Sequence, residues 1–337
     1  METKGHCHGR LQMGNLKDRF GRILKYVRIS VTDRCNYRCR YCMPAEGVDL
    51  LPHESVLSYE DIFFLTDVLQ ELGVEKIRFT GGEPFVRPDF PEFLSSFARL
   101  FPDLRVALTT NGSLLEKYSD IVVNSGINAI NVSLDTLSAE KFEFITRSGN
   151  LEDVINGLDA VSGGKNLNIR LNTVLIRGFN EEEVGDIIDF AGSKGIIPRF
   201  IEFMPVNGDL WSGDAFISAS SIFETLPEKG KWQPVKFKED DNPGPAKYYR
   251  KISSGQVVGI IAAISDHFCQ NCNRLRVTST GEMRPCLLND IGVGLLEYIR
   301  EKDRQKVKEG IFQAVEMKPG GWEISNSRKD NMSKIGG

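Results

Sequence analysis

The sequence predicts an α/β protein built as a partial (β/α)6 barrel, with a smaller C-terminal region covering the open side. Three observations predict it. Six short β-rich runs alternate with amphipathic stretches between residues 26 and 203. That rhythm stops after Phe203, where Gly, Pro and charged residues take over. Six of the seven cysteines fall in two triads, one directly behind the first β-run and one far into the C-terminal region.

The β-runs are Tyr26–Val31, Glu75–Thr80, Leu104–Thr109, Ala129–Leu134, Asn168–Leu175 and Pro198–Phe203. Helical patterns lie between them at Ser58–Leu72, Pro91–Phe101, 113–124, Leu151–Ser162 and Glu181–Lys194. Each connection is too long for a hairpin and suits a βα step. Repeated βα steps imply a parallel sheet with helices outside, and six units fit an open barrel of the TIM type better than a closed eight-unit one. The organisation that follows is a mobile N-terminal extension (1–17), a barrel (18–240) and a C-terminal domain (241–337). Residues 207–256 read as a loop-rich transition that includes the charged run Lys236–Asp241. Lys318–Gly337 reads as a polar tail, mobile except at its last residues.

The chain has 337 residues, 41% hydrophobic and 26% charged, enough to bury a sizeable core. A net charge of −4 argues against a nucleic-acid partner, which selects for basic excess, without excluding a local basic pocket. No apolar run approaches the length of a membrane span. Residues 1–10 lack the apolar core of a secretion signal. The expectation is a cytoplasmic protein with reduced thiols, in which clustered cysteines read first as metal ligands. A two-fold homodimer is the default assembly.

The first triad is Cys35-Asn-Tyr-Arg-Cys39-Arg-Tyr-Cys42. It follows the first strand, at the barrel end where such folds place their chemistry. Three thiolates hold three irons of a four-iron cluster and leave the fourth open. A structural zinc would want a fourth protein ligand, and His53 is the one histidine nearby. Gly81-Gly82-Glu83-Pro84 follows the second strand at the same end, where glycines let the backbone approach a ligand. Ser133 and Met204 also lie at that end.

The second triad is Cys269, Cys272 and Cys286. It reads either as a zinc site completed by His267 or as a second three-thiolate cluster. Arg274 and Arg276 follow Cys272 and in a strand would point the same way. Paired guanidiniums suit a polyphosphate. Arg28, Arg78 and Arg170 sit at strand positions facing the barrel interior. Several arginines on one interior call for an anionic ligand or unseen carboxylates, since an unpaired buried cation is costly. There is no Gly-x4-Gly-Lys-Ser/Thr loop.

Taken together, these segments resemble the GTP 3′,8-cyclase family of molybdenum cofactor (molybdopterin) biosynthesis, within the radical S-adenosylmethionine (SAM) superfamily. The resemblance spans nearly the whole chain. It is carried by Asp18-Arg-Phe-Gly-Arg22, Arg28 through Pro44 with its three cysteines, Ile77-Arg-Phe-Thr-Gly-Gly-Glu-Pro84, Thr109-Thr-Asn-Gly112, Asn131-Val-Ser-Leu-Asp135 and Ile201-Glu-Phe-Met-Pro205. Phe268-Cys-x-x-Cys-Asn-Arg-Leu-Arg276, Arg284-Pro-Cys286 and the terminal Gly336-Gly337 discriminate it from other radical SAM enzymes.

The resemblance implies the following roles. Cys35, Cys39 and Cys42 hold a [4Fe-4S] cluster that binds SAM, and Tyr41, Gly82, Ser133 and Met204 contact SAM. Cys269, Cys272 and Cys286 hold a second [4Fe-4S] cluster facing the guanine of GTP. Arg28, Arg78, Thr109, Arg170, Arg274 and Arg276 contact GTP, and Gly336 and Gly337 reach the active site and support catalysis. The implied partners are a reductant protein and a downstream cyclic pyranopterin monophosphate synthase. Position 170 is commonly Lys in this family, so a fork replaces a point charge here. His6, Cys7 and His8 lie outside the resemblance and read as part of a mobile tail. The alternatives are a radical SAM peptide-modifying enzyme with an auxiliary cluster and a zinc-binding non-enzyme.

Overall fold

A computed structural model describes residues 15–164, 167–204, 213–228, 230–237, 244–266 and 268–321. Six strands form the barrel wall: β1 (Tyr26–Ser30), β2 (Lys76–Thr80), β3 (Arg105–Thr110), β4 (Ala129–Ser133), β5 (Asn168–Leu175) and β6 (Ile197–Glu202). Neighbours pair in sequence order, all parallel. Six helices fill the connections: α1 (Tyr59–Glu71), α2 (Phe90–Leu100), α3 (Leu115–Asn124), α4 (Ala139–Thr146), α5 (Leu151–Ser162) and α6 (Val184–Ser193). The partial barrel expected from the sequence is therefore present, with strand ends within a residue of the β-runs. The short helix α4 was not anticipated.

Strand side chains alternate between the two faces. The outer face is apolar: Val27, Ile29, Ile77, Phe79, Leu108, Ile130, Val132, Leu171 and Phe200 are buried under the helices. Helix α2 adds an aromatic stripe there, with Phe79 edge-on to Phe97 at 4.7 Å and to Phe93 at 5.2 Å. Helix α1 starts at a capping box, in which the Ser58 hydroxyl accepts from the Asp61 N–H and the Asp61 carboxylate from the Ser58 N–H. The inner face is polar, the reverse of the apolar layers that fill an ordinary closed barrel.

The C-terminal region departs from expectation. Beyond helix α7 (Ala219–Thr225), strands β7 (Trp232–Val235), β8 (Lys247–Lys251) and β9 (Val257–Ile261) form an antiparallel meander, so much of 207–256 is ordered structure and not loop. Strand β9 pairs parallel with β6. Strand β10 (Arg274–Val277) pairs parallel with β1 at the opposite edge, followed by β11 (Glu282–Arg284) and β12 (Val293–Gly294). The result is one twelve-stranded sheet with β10, β1 to β6 and β9 as eight adjacent parallel strands. No ladder joins β9 to β10 among the described residues. The chain crosses from one edge to the other through residues 262–273, which carry Cys269 and Cys272. The expected boundary at residue 241 thus falls inside a continuous sheet.

Helices α8 (Leu296–Arg300) and α9 (Arg304–Glu316) close the chain's fold against α1. Two smaller corrections concern the ends. Leu16, placed in the extension, is 1% exposed and donates its N–H to the Leu72 carbonyl at 3.2 Å. Lys318, placed in the mobile tail, is 2% exposed. Both errors arise because an anchoring contact made across the fold leaves no periodic trace in sequence.

Candidate active site

A cavity of about 350 Å³ lies inside the barrel. Both cysteine triads line it. So do Tyr41, Gly82, Ser133, Met204, Arg28, Arg78, Thr109, Arg170, Arg274 and Arg276. Apart from His53, which does not line the cavity, every site residue named from the sequence within the described residues therefore meets at one place. Gly336, Gly337 and His267 lie outside the described residues.

The first triad sits on the loop after β1, and the Gly81–Pro84 turn after β2 is tied to it. Gly82 donates its N–H to the Thr32 carbonyl at 2.9 Å, and Glu83 donates to the Arg34 carbonyl at 2.8 Å. A Cβ on Gly82 would overlap the Arg34 carbonyl oxygen, so only glycine lets the two loops approach. The buried Glu83 carboxyl accepts from the N–H groups of Phe85 (3.1 Å) and Asn111 (2.6 Å) and from the Thr110 hydroxyl (2.8 Å). Burial nevertheless pushes it up to about 7. The Glu of this turn thus braces three loops from within. Tyr41 donates its hydroxyl to Asp135 at 2.7 Å, and the Val174 N–H donates to the same carboxyl at 2.9 Å. Burial raises Asp135 to about 6.

The second triad is carried by the crossing segment, with Cys286 two residues beyond β11. Glu202, at the end of β6, holds the start of that segment. Its buried carboxylate accepts from the N–H groups of Ala219 (2.6 Å), Ile264 (2.6 Å) and Ser265 (2.9 Å) and from the Ser265 hydroxyl.

The two triads differ electrostatically. Burial, aided by the Glu83 charge, pushes the Cys35 thiol up to about 11, and burial pushes Cys39 well above the ordinary thiol range. Burial acts on Cys272 too, but the Arg274 and Lys318 charges beside it bring it down to about 6. No three Cys, His, Asp or Glu side chains among the described residues converge as a single metal ion requires. A four-iron cluster asks for something else, one thiolate on each of three irons. Two three-thiol sets facing one cavity fit it.

Between the triads the interior is cationic. Register pairing puts Arg276, Arg28 and Arg78 side by side across β10, β1 and β2. Arg274 lies beside Tyr26, Asn131 beside Arg170, and Asn172 beside Arg199. With Lys76, seven cations among the described residues line the cavity, and Asp135 is the one carboxylate among those lining residues. Burial, reinforced by like charges, lowers Arg28 and Arg199 to about 10, Lys76 to about 8 and Arg276 well below its usual range. Tyr26 responds in the opposite sense to its burial. The charges of Arg78, Arg28, Lys76 and Arg274 bring its phenol down to about 7. Arg78 donates to the Tyr26 oxygen at 2.7 Å and to Thr109 Oγ1 at 3.3 Å, and Arg199 donates twice to Asn172 Oδ1 (2.6 and 3.0 Å). Arg170 Nε and Asn131 Oδ1 are buried without a hydrogen-bond partner among the described residues. Such an interior is suited to an anion with many acceptors.

Sequence reasoning missed Lys76, Arg199, Tyr26, Asn131, Asp135 and Asn172. The signal for Lys76 was present, because it is two residues from Arg78 and must share its face. Arg199 was equally available on the sixth strand. The lateral register places Arg199 beside Asn172 on the inner face.

Two family profiles match consecutive parts of the chain and meet just before β6. Residues 29–191 match the Radical SAM superfamily profile, and residues 196–324 match Molybdenum Cofactor Synthesis C. A GTP 3′,8-cyclase of Thermodesulfovibrio yellowstonii is 38% identical over 96% of this chain and 100% of its own length. Those of Peptoclostridium acidaminophilum (39%, 96% and 98%) and Syntrophomonas wolfei (40%, 95% and 99%) are comparable. Among solved structures, Streptococcus suis SuiB bound to S-adenosylmethionine superposes with a TM-score of 0.57 at 16% identity, over 82% of this chain and 64% of that one. Native anSMEcpe with bound AdoMet gives 0.56 at 17%, over 85% and 82%. These two likenesses establish the fold alone.

Proposed function

The chain belongs to the GTP 3′,8-cyclase family of the radical SAM superfamily, and from that membership we propose that it converts GTP to (8S)-3′,8-cyclo-7,8-dihydroguanosine 5′-triphosphate in molybdenum cofactor biosynthesis. The observation that carries the reading is the ring of seven cations between two cysteine triads in one cavity. A neutral peptide substrate would leave that charge uncompensated; a triphosphate offsets much of it.

Cys35, Cys39 and Cys42 would hold the SAM-binding [4Fe-4S] cluster, and Cys269, Cys272 and Cys286 a second one at the guanine end. Bound at the first triad, cluster and SAM would supply the radical chemistry that joins the ribose C3′ of GTP to C8. The chain's own work is positioning and exclusion. Tyr41, Gly82, Ser133 and Met204 contact SAM, and the Glu83 brace holds the turn that carries Gly82. Arg28, Arg78, Arg170, Arg274 and Arg276, with Thr109, contact GTP, and Lys76 and Arg199 join them. Charge-assisted hydrogen bonds of about 1.5–3 kcal/mol each fix the triphosphate, so the ribose cannot drift from its target carbon. The crossing segment, pinned by Glu202, keeps solvent off the open side of the barrel. Gly336 and Gly337 complete the site from the C-terminal tail. A separate reductant protein delivers the electron, and a cyclic pyranopterin monophosphate synthase consumes the product.

The test is anaerobic turnover of reconstituted, reduced protein with SAM and GTP, with products identified by mass spectrometry. The expected products are 5′-deoxyadenosine and the cyclised nucleotide. SAM cleavage with GTP returned unchanged, both clusters being intact, would overturn the GTP assignment and leave the superfamily membership standing.

A further inference from the structure

The motif Asp18-Arg-Phe-Gly-Arg22 has no part in the cavity, yet it is built around a buried ion pair. The chain reverses here, with Gly21 at φ +84° and the Gly21 N–H on the Asp18 carbonyl at 3.0 Å. Leu16 and Leu24, both 1% exposed, anchor the two arms, and the Leu24 N–H donates to the Leu16 carbonyl at 2.7 Å. Within the turn, Asp18 Oδ1 accepts the N–H groups of Phe20 (3.0 Å) and Arg22 (2.9 Å), and Asp18 Oδ2 accepts Arg22 Nε at 2.6 Å. That bond orients the guanidinium. Its remaining nitrogens point away from the turn: Nη1 donates to the Cys269 carbonyl at 2.6 Å and Nη2 to the Pro319 carbonyl at 2.7 Å.

Lys318 stands next to Pro319 and completes the arrangement from the other side. Its ammonium donates to the Arg274 carbonyl at 2.7 Å, the Pro285 carbonyl at 2.7 Å and the Cys272 sulfur at 3.7 Å. Two cations thus reach all three positions of the second triad: Cys269 through Arg22, Cys272 and the residue before Cys286 through Lys318. They are joined to each other through the Pro319 carbonyl. The antiparallel β10–β11 hairpin, which pairs Arg276 with Arg284, brings the Cys286 arm back toward Arg274, whereas Cys269 precedes β10 and lies beyond that ladder.

We propose that Arg22 and Lys318 are positioning residues, a two-cation clasp that sets the geometry of the second cysteine triad before it is loaded. The proposal rests on the reading of Cys269, Cys272 and Cys286 as cluster ligands. Arginine is required at 22 because only a planar fork serves Asp18, Cys269 and Pro319 in three directions at once; a lysine carries the charge on one point. At 318 the compact ammonium reaches two carbonyls and a sulfur that converge on it.

The test isolates each cluster in the full-length chain. In a background with Cys35, Cys39 and Cys42 changed to Ala, iron content and the Mössbauer spectrum report the second triad alone. In the complementary background lacking Cys269, Cys272 and Cys286, they report the first. Arg22→Lys and Lys318→Met are placed in each background and reconstituted anaerobically, with circular dichroism to check folding. We expect iron at the second triad to fall from about four per chain to a quarter of that or less, with residual iron spectrally heterogeneous, while the first triad loads normally. Wild-type iron and spectra at the second triad in both variants would overturn the clasp, as would equal losses at the two triads, the mark of a general fold defect. Should Arg22→Lys not fold, Lys318→Met decides by the same readings. If the parent background itself takes up no cluster, the cluster-ligand reading has failed, and the clasp with it.

Discussion

Lys76 shows how single residues acquire function from their neighbours. It sits on the barrel's inner face with its ammonium 4.9 Å from the centre of the Tyr26 ring. Burial first, then the charges of Arg78, Arg170 and Arg199, lower it to about 8. A bound triphosphate favours the charged form, so below about 8 Lys76 is ready for it. Above about 8 the ammonium must first regain a proton. GTP affinity should therefore fall as pH rises from about 7 to 9, by up to roughly tenfold per unit once Lys76 has lost its proton. The Tyr26 phenol, lowered to about 7, acts in the same direction by adding negative charge as pH rises. Calorimetric titration of GTP across this range measures the effect, with proton uptake on binding above about pH 8. Lys76→Arg should flatten most of it, and an unchanged profile in that variant would show that Lys76 is not the group responsible. At this scale the sequence was a fair guide to charge type, since Arg28, Arg78 and Arg170 were all expected inside. It passed over Lys76, although the spacing to Arg78 marks its facing, and Arg199, the one charge inside its strand until Glu202.

Elements place these residues, and Glu202 shows the cost of the placement. One buried carboxylate at the end of β6 satisfies three N–H groups, on α7 and on the segment that crosses toward Cys269. Glu202→Ala leaves those donors unpaired, at about 1–3 kcal/mol each. The expected loss is at least about 3 kcal/mol, seen as an earlier denaturation midpoint, together with faster amide exchange at Ile264 and Ser265. Exchange unchanged at those two amides would show that the segment is held by something else. Strand limits were readable because each β-run ends in turn residues and each connection has helical period. Helix α4 and the β7–β8 hairpin were not. Helix α4 is only eight residues long. The hairpin strands carry mixed exposure, not clean alternation, and their place is set by pairing with β9.

At the scale of the whole molecule, a chain of net charge −4 encloses a strongly cationic cavity. The sheet makes this possible by recruiting β9 and β10 from the C-terminal region to opposite edges, so that residues 262–273 span the gap. No helix among the described residues is long and apolar enough to cross a membrane. Pro319 shares the Arg22 guanidinium with Cys269 of the second triad. Deleting Gly336 and Gly337 should abolish cyclisation while iron content, circular dichroism and GTP binding stay at wild-type values. Full turnover in that truncation would remove the tail from the active site.

By itself the sequence determined the partial barrel, the two cysteine triads as distinct sets, and the family. These features are local: strand and helix periods, the spacing of thiols within a loop, and glycines at one strand end each declare themselves within a few residues. Only the tertiary structure decided that the C-terminal region extends the same sheet at both edges, that seven cations face inward together, and that Arg22 and Lys318 meet the second triad. Those facts depend on lateral register and on contacts between residues hundreds of positions apart, such as Arg22 with Cys269 and Pro319. Side chains that reach across the fold obey no sequence period, and their partners appear only when the sheet has closed around them.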